Sequence, residues 1–213
     1  MRNLTSRFSF IGSRGFTLAE LLVAMMVTSI ILTAVVTLAY AMGSANDSAD
    51  DTVRKQAHLR YSTLRISELI RNCRLICASR DNSVAIWRAD SNGNRQINAN
   101  ELVYIERGSD KNYLQLLEFP SLSTPVSLSD IQTGAARLTM GASGGQRQTV
   151  LIPVCSNVQF GFDVLPPQSG FVSISFNLPE NGVLHKYQIN ASLRAWAGNL
   201  LDSDGDAVVS DDD

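Results

Sequence analysis

From Phe16 to Met42 the chain reads FTLAELLVAMMVTSIILTAVVTLAYAM, and Glu20 is the one charged residue in it. As a helix rising about 1.5 Å per residue, this run is roughly 40 Å long, more than the approximately 30 Å of a bilayer's hydrocarbon core. A carboxylate inside such a segment is costly and calls for a partner or a purpose. The flank is informative too. Arg2, Arg7 and Arg14 make the first fifteen residues basic, with no acid among them. Basic flanks stay in the cytoplasm, so the rest of the chain is expected to face outward. Three arrangements compete. A secretory signal has an apolar stretch of only about 7–15 residues; this one is longer, although AYAMGSA supplies small residues near its end. A plain signal anchor fits the length and gives Glu20 no role. The third places a cut ahead of the run, between Gly15 and Phe16.

The segment RGFTLAELLVAMMVTSIILT closely resembles the N-terminus of type IV prepilins and type II secretion pseudopilins. In that family a short basic leader is followed by Gly, Phe, Thr, Leu, a glutamate at the fifth mature position, and an unbroken apolar helix. Gly15 then matches the last leader residue, Phe16 the first mature residue and Glu20 the fifth. The resemblance implies cleavage between Gly15 and Phe16 by a prepilin peptidase, N-methylation of Phe16, and a retained helix that serves as inner-membrane anchor and assembly element. Glycine offers the peptidase an unhindered carbonyl. The resemblance also implies that Glu20 pairs with the amino terminus of a neighbouring pilin or pseudopilin. An amine and a carboxylate that leave water both gain from meeting.

The helical pattern continues beyond the membrane. In DTVRKQAHLRYSTLRISELIRNCRLIC, residues 51–77, there is no Gly or Pro. Leu59, Ile66, Leu69, Ile70, Cys73, Ile76 and Cys77 fall on one face at 100° per residue, predicting a stripe that packs on a domain. Gly43-Ser44 and ANDSADD between the two halves are poor helix formers, and a kink or local melting is expected there. After Cys77 short β-rich runs take over: SVAIWR, LVYIER, YLQLLEF, TVLIPV, VQFGFDV, FVSISFNL and YQINASLRAW. FNLPENGVLHKY reads as a hairpin turning at Glu180-Asn181-Gly182. The late strands loosely resemble the end of J-type minor pseudopilins and W-type minor pilins. The predicted fold is α+β and pilin-like: a long N-terminal helix, its first half transmembrane, packed on an antiparallel sheet domain. Its expected divisions are a leader at 1–15, the membrane half of the helix at 16–42, its periplasmic half at 43–79, a β-rich domain at 80–200 and an acidic tail at 201–213.

Eighteen basic against twenty acidic residues, with no basic stripe, give nucleic-acid binding no support. His58 and His185 lie far apart, and the polar residues form no nucleophile–base pattern, so no catalytic residue is assigned and an enzyme is not expected. Cys73, Cys77 and Cys155 do not make a four-ligand zinc site. Two readings remain for them: a disulfide from Cys155 to Cys73 or Cys77, stapling helix to sheet in an oxidising compartment, or three buried free thiols.

Two loops have calcium-loop spacing, with oxygen ligands expected at positions 1, 3, 5, 7, 9 and 12. In DSNGNRQINANE these are Asp90, Asn92, Asn94, Gln96 through its carbonyl, Asn98 and Glu101, with Ile97 at the hydrophobic eighth position. Arg95 stands where such loops have glycine. Two carboxylates beside an arginine predict weak Ca²⁺ affinity, and the competing reading is a polar hairpin loop. In DSDGDAVVSDDD the same spacing falls on Asp202, Asp204, Asp206, Val208, Ser210 and Asp213, where a disordered acidic tail is the stronger reading.

Together these features lead to the expectation of a non-enzymatic minor subunit of a type II secretion pseudopilus. It would be anchored once in the inner membrane with its C-terminal domain in the periplasm, and extracted into a filament on assembly. A type IV minor pilin serving attachment, motility or DNA uptake is the alternative. A membrane-anchored calcium-binding module stands in a different class.

Overall fold

The computed structural model describes residues 15–80, 82–108, 110, 112–180, 182–194 and 200–202, without the side chains of residues 48, 51 and 52. The chain divides into two compact units, Met1–Lys55 and Gln56–Asp213. The first consists of helix α1 (Leu18–Asn72) as far as Lys55. Its residues 18–47 have a mean hydropathy of 2.5 and are long and apolar enough to cross a membrane. The threonine hydroxyls of its apolar part bond back to the helix's own carbonyls. Thr28 donates to the Ala24 carbonyl, Thr33 to Ser29 and Thr37 to Thr33, at 2.8–2.9 Å. Such back-bonding lets a hydroxyl sit in hydrocarbon without an orphaned donor. The melting expected at Gly43-Ser44 does not occur: α1 runs through that stretch without a break.

In the second unit α1 buries one narrow stripe. Ser62, Ile66 and Ile70, spaced by four, are all 1% exposed or less, and Ser62 donates its hydroxyl to the Leu151 carbonyl. Leu59 and Leu69 flank the stripe half-buried. The predicted face is therefore present, but it ends earlier than expected. The helix stops at Asn72, and Leu75–Arg80 is strand β1. Ile76 and Cys77 fit helical and strand spacing equally well in sequence. With no Gly or Pro to mark the end, tertiary pairing decides: Arg74 N donates to the Trp87 carbonyl at 2.8 Å, committing the backbone to the sheet. Arg194 N then fills the Arg71 carbonyl at the helix end. The expected helical boundary at residue 79 is corrected to Asn72, and Cys77 lies on a strand.

Five antiparallel strands follow as a meander: β1, β2 (Ser83–Trp87), β3 (Leu102–Arg107), β4 (Leu114–Glu118) and β5 (Arg147–Ile152). A second sheet contains β6 (Ser156–Phe162), β7 (Phe171–Glu180) and β8 (Val183–Ser192). The β7–β8 hairpin pairs Glu180 with Val183, and Gly182 takes φ +80° in its turn. The two sheets differ in sequence character because they differ in burial. On β7, Val172, Ile174 and Phe176 point inward between Ser173 and Ser175, the alternation of a sheet wetted on one face. The five-stranded sheet is covered on both faces, so LVYI and YLQLL are nearly continuous apolar runs.

One face, with Ile76, Ile86, Val103, Ile105 and Leu116, joins the α1 stripe and the inner face of the second sheet in a single core. The other, with Leu75, Trp87, Leu102 and Leu117, packs under two short helices, α2 (Leu128–Thr133) and α3 (Ala135–Ala142). These helices are absent from the sequence reading. Their local signal is Ser127, which caps α2 by accepting from Asp130 N at 3.1 Å, and Gly134, which closes it at φ +81°.

Candidate functional site

At the start of α1 the sequence TLAE forms a reciprocal cap. Glu20 N donates to Thr17 Oγ1 at 3.3 Å, while Glu20 Oε2 accepts from Thr17 N at 3.1 Å and from Thr17 Oγ1 at 3.0 Å. This is a capping box: the first and fourth residues satisfy each other's backbone donors. Gly15 and Phe16 lie outside the helix, and Phe16 is 79% exposed. Thr17 is the capping residue that the sequence reading overlooked, although T-x-x-E ahead of an apolar run is a recognisable signature.

Beyond the cap the apolar face has no cover. Leu22, Ile30 and Leu38 are about 60% exposed, and none of the most apolar window is buried. A contiguous apolar surface of this extent calls for lipid or for other helices. A family model described as the prokaryotic N-terminal methylation motif matches residues 12–36. The chain carries a prepilin-type N-terminus. No curated protein and no solved structure matches the chain. The prepilin-type motif is that of type IV pilin-like proteins, which are structural subunits, and it implies processing by a prepilin peptidase and assembly with other pilins. The apolar helix behind it fits a membrane anchor, as in prepilins. Gly15, Phe16 and Glu20 all lie within the matched residues.

The second candidate is the loop from Asp90 to Glu101, which joins β2 to β3. Its side chains are tied by internal hydrogen bonds into a tight turn. Asp90 Oδ1 accepts from Asn94 N at 3.1 Å and Oδ2 from Arg95 N at 3.0 Å. Arg95 adopts φ +57°, supplying at an unfavourable residue the left-handed conformation usually left to glycine. Ile97 is buried in the core below, as its position predicts.

Most of the loop's candidate ligand oxygens are nonetheless bonded within the chain, whereas the buried Asn100 Oδ1 has no partner among the described residues. Glu101 is 2% exposed and accepts five bonds: from Ser91 N (2.6 Å) and Oγ (2.8 Å) on one oxygen, and from Trp87 Nε1 (3.2 Å), Asn98 N and Asn98 Nδ2 (both 3.3 Å) on the other. Burial pushes the Glu101 carboxyl up. The bonds from Ser91, Trp87 and Asn98 outweigh it and hold the group below its ordinary value. Asn98 Nδ2 also bonds the Asn94 side-chain oxygen and the Gln96 carbonyl, two of the oxygens a cation would use. Arg74 pairs with Asp90 at 2.9 Å and stacks over Trp87, its guanidinium carbon 5.0 Å from the ring centroid. Asn92 Oδ1 accepts from Asn94 N. Among the described residues no group of three or more His, Cys, Asp or Glu is placed to hold a metal. Any cation here would depend on amide and carbonyl oxygens and two carboxylates.

The remaining predicted residues separate. Cys73, Cys77 and Cys155 are buried free thiols, the second of the two readings, and no disulfide joins them. The reason for Cys77 is geometric: it faces the core under α2 and α3, whereas Cys73 and Cys155 share the core on the sheet's other side. Burial raises Cys73 to about 12 and Cys155 to about 11, and pushes Cys77 up further. Of the acidic tail, Asp202 is described; Asp204, Asp206 and Asp213 lie outside the described residues.

Proposed function

We propose that this chain is a minor subunit of a type II secretion pseudopilus, cut after Gly15, methylated on Phe16 and built into the fibre through α1 to support protein export. The observation that carries the proposal is the contrast within α1. Residues 56–72 are packed into a complete core, whereas residues 18–47, headed by a prepilin-type motif, have no apolar partner among the described residues. The inner membrane supplies that partner before assembly, with the domain in the periplasm, and neighbouring helices supply it afterwards. A type IV minor pilin in attachment, motility or DNA uptake is the alternative assignment, and neighbouring genes separate the two. Other pseudopilins with an outer-membrane secretin support secretion; a retraction motor supports a motile pilus.

The capping box sharpens the test of Glu20. In Glu20→Ala both the cap and the charge are lost, whereas Glu20→Gln keeps an acceptor for Thr17 and loses only the charge. Peptidase cleavage and filament incorporation are followed separately by immunoblot. Both variants are expected to be cleaved, and neither to enter filaments. Normal incorporation of Glu20→Gln would show that the carboxylate's charge has no part in assembly.

A second reading, Ca²⁺ binding by the loop at 90–101, has one observation in its favour: the left-handed backbone at Arg95. Binding would require Asn98 to turn its amide oxygen inward. Amide NMR shifts confined to this loop at millimolar calcium are the expected result, the range in which extracellular calcium modules work. Unchanged spectra would dispose of it.

A further inference from the structure

Four strands lie at sheet edges: β1 and β5 in the first sheet, β6 and β8 in the second. An edge strand offers unpaired N–H and C=O groups, and proteins blunt such edges with bulges, covering elements or charge. Three of the four are blunted by shape. β1 slips in register against β2 between Ile76 and Ala78. β5 bulges at Leu151, whose carbonyl accepts from the Ser62 hydroxyl of α1. β6 bulges between Ser156 and Gln159, where Asn157 takes φ +52°. β8 has none of these devices. Its ten residues pair one to one with β7, from Val183 to Ser192, without a shift.

The direction of its backbone groups follows from one bond just past the strand. Leu193 N donates to the Gly170 carbonyl at 2.9 Å, in step with the register of β7 and β8. In an antiparallel pair, successive residues turn their backbone groups to opposite sides. Odd-numbered residues of β8 therefore bond to β7. The N–H and C=O groups of Leu184, Lys186, Gln188, Asn190 and Ser192 point away from it. No backbone group among the described residues pairs with them, and all five residues are exposed. Alternating donors and acceptors at strand spacing are matched by another extended backbone, the recognition mode of strand addition.

We propose that the outer edge of β8 is a docking site for an extended segment of another protein, which joins the three-stranded sheet as a further strand. Charge selects the segment. Lys186 is the one charged residue on β8, and it forms no ion pair among the described residues. No Asp or Glu lies on β1, β5, β6 or β8, so edge-to-edge pairing with a second copy would leave Lys186 without an acid. The fitting strand carries Glu or Asp opposite Lys186 on the wetted face. On the inner face it carries apolar side chains. These extend the layer formed by Ile189 and by Tyr187, whose ring stacks on Phe176 with centroids 6.0 Å apart. The assignment is independent of the filament reading, since it rests on residues of the second unit alone.

The probe is the peptide acetyl-TVTVEVT-amide, titrated against the full chain in neutral detergent micelles and followed by amide hydrogen exchange. In the free chain the amides of Lys186, Gln188 and Asn190 are expected to exchange freely, while those of Tyr187, Ile189 and Ala191 are protected. The peptide should slow the first set saturably. Acetyl-TVTVKVT-amide should bind about fivefold more weakly, the scale of replacing an opposite-charge cross-strand pair by a like-charge one. Lys186→Glu, a change on an exposed side chain, should reverse that preference. Acetyl-TVPVEVT-amide has lost a backbone donor in mid-strand and should bind more weakly than the parent. Protection of the first set in the free chain would overturn the proposal, since the chain itself, its C-terminal acids included, would then cover the edge. No slowing by the glutamate peptide, equal binding of the glutamate and lysine peptides, or undiminished binding of the proline peptide would each overturn it as well.

Discussion

Replacing Glu101 by alanine should loosen the second unit substantially. The carboxylate receives five donors, but they do not weigh equally. Ser91 is exposed, so water can replace the carboxylate for its N–H and hydroxyl. Asn98 Nδ2 keeps its bonds to the Asn94 and Gln96 oxygens. Trp87 Nε1 and Asn98 N remain, on residues that are 0% and 2% exposed. Two orphaned buried donors at about 1–3 kcal/mol each give a loss of about 2–6 kcal/mol. That is a large part of a typical domain's stability of about 5–15 kcal/mol. Urea unfolding of the full chain in detergent, read by amide exchange at Ile86 and Val103, measures it where β2 and β3 pair. Glu101→Gln, which keeps one acceptor oxygen, should fall between. The acid dependence carries the same signature. Because the folded carboxyl is held below its ordinary value, its contribution is present above about pH 4.3 and is lost as pH falls through the folded value. Glu101→Gln should remove that part of the pH dependence. A Glu101→Ala loss within about 0.5 kcal/mol, the range of ordinary surface substitutions, would refute the view that this carboxylate holds the loop.

Ile70→Ala removes a fully buried side chain from the stripe by which α1 joins the core, and a loss of about 2–5 kcal/mol is expected in the same unfolding assay. A similar change at the exposed Leu64 should be nearly neutral, and equal effects would place the stripe wrongly. The three thiols should resist maleimide at neutral pH and react once urea unfolds the chain; rapid labelling of the native protein would contradict their burial. Their raised values also set a sign at the alkaline end. The stability linked to the neutral thiols is intact below the unfolded value of about 8.5 and declines as pH rises towards about 11 at Cys155 and about 12 at Cys73.

What was legible in the sequence follows physical lines. Each expected strand run overlaps an observed strand, because apolar runs bounded by Gly, Pro and Asn leave the backbone few alternatives. β1 was hidden because Leu75-Ile76-Cys77 continues the helical stripe of α1, and only the backbone of β2 distinguishes strand from helix there. α2 and α3 were missed because neither is much longer than two turns, below the length at which periodicity speaks. The loop's oxygen spacing was readable from composition and order. The way Trp87 and Ser91 occupy Glu101 was not, since it depends on where β2 ends relative to β3. At the motif, Gly15, Phe16 and Glu20 were legible as a set, and the omission of Thr17 came from reading Glu20 as a charge awaiting a distant partner rather than an acceptor with a near one.

The cap at Thr17 also bears on the bond ahead of it. Proteases take substrates as extended chain, and a helix beginning one turn earlier would hide the Gly15–Phe16 bond inside its own hydrogen-bonded ladder. With the helix closed at Thr17, that bond lies uncoiled and two residues clear of the first turn. Losing the cap would fray the first turn rather than extend it, so the bond stays open without Glu20; the proposed task of that side chain comes later, when the leader is gone and it turns to an amine that did not exist while it held the cap.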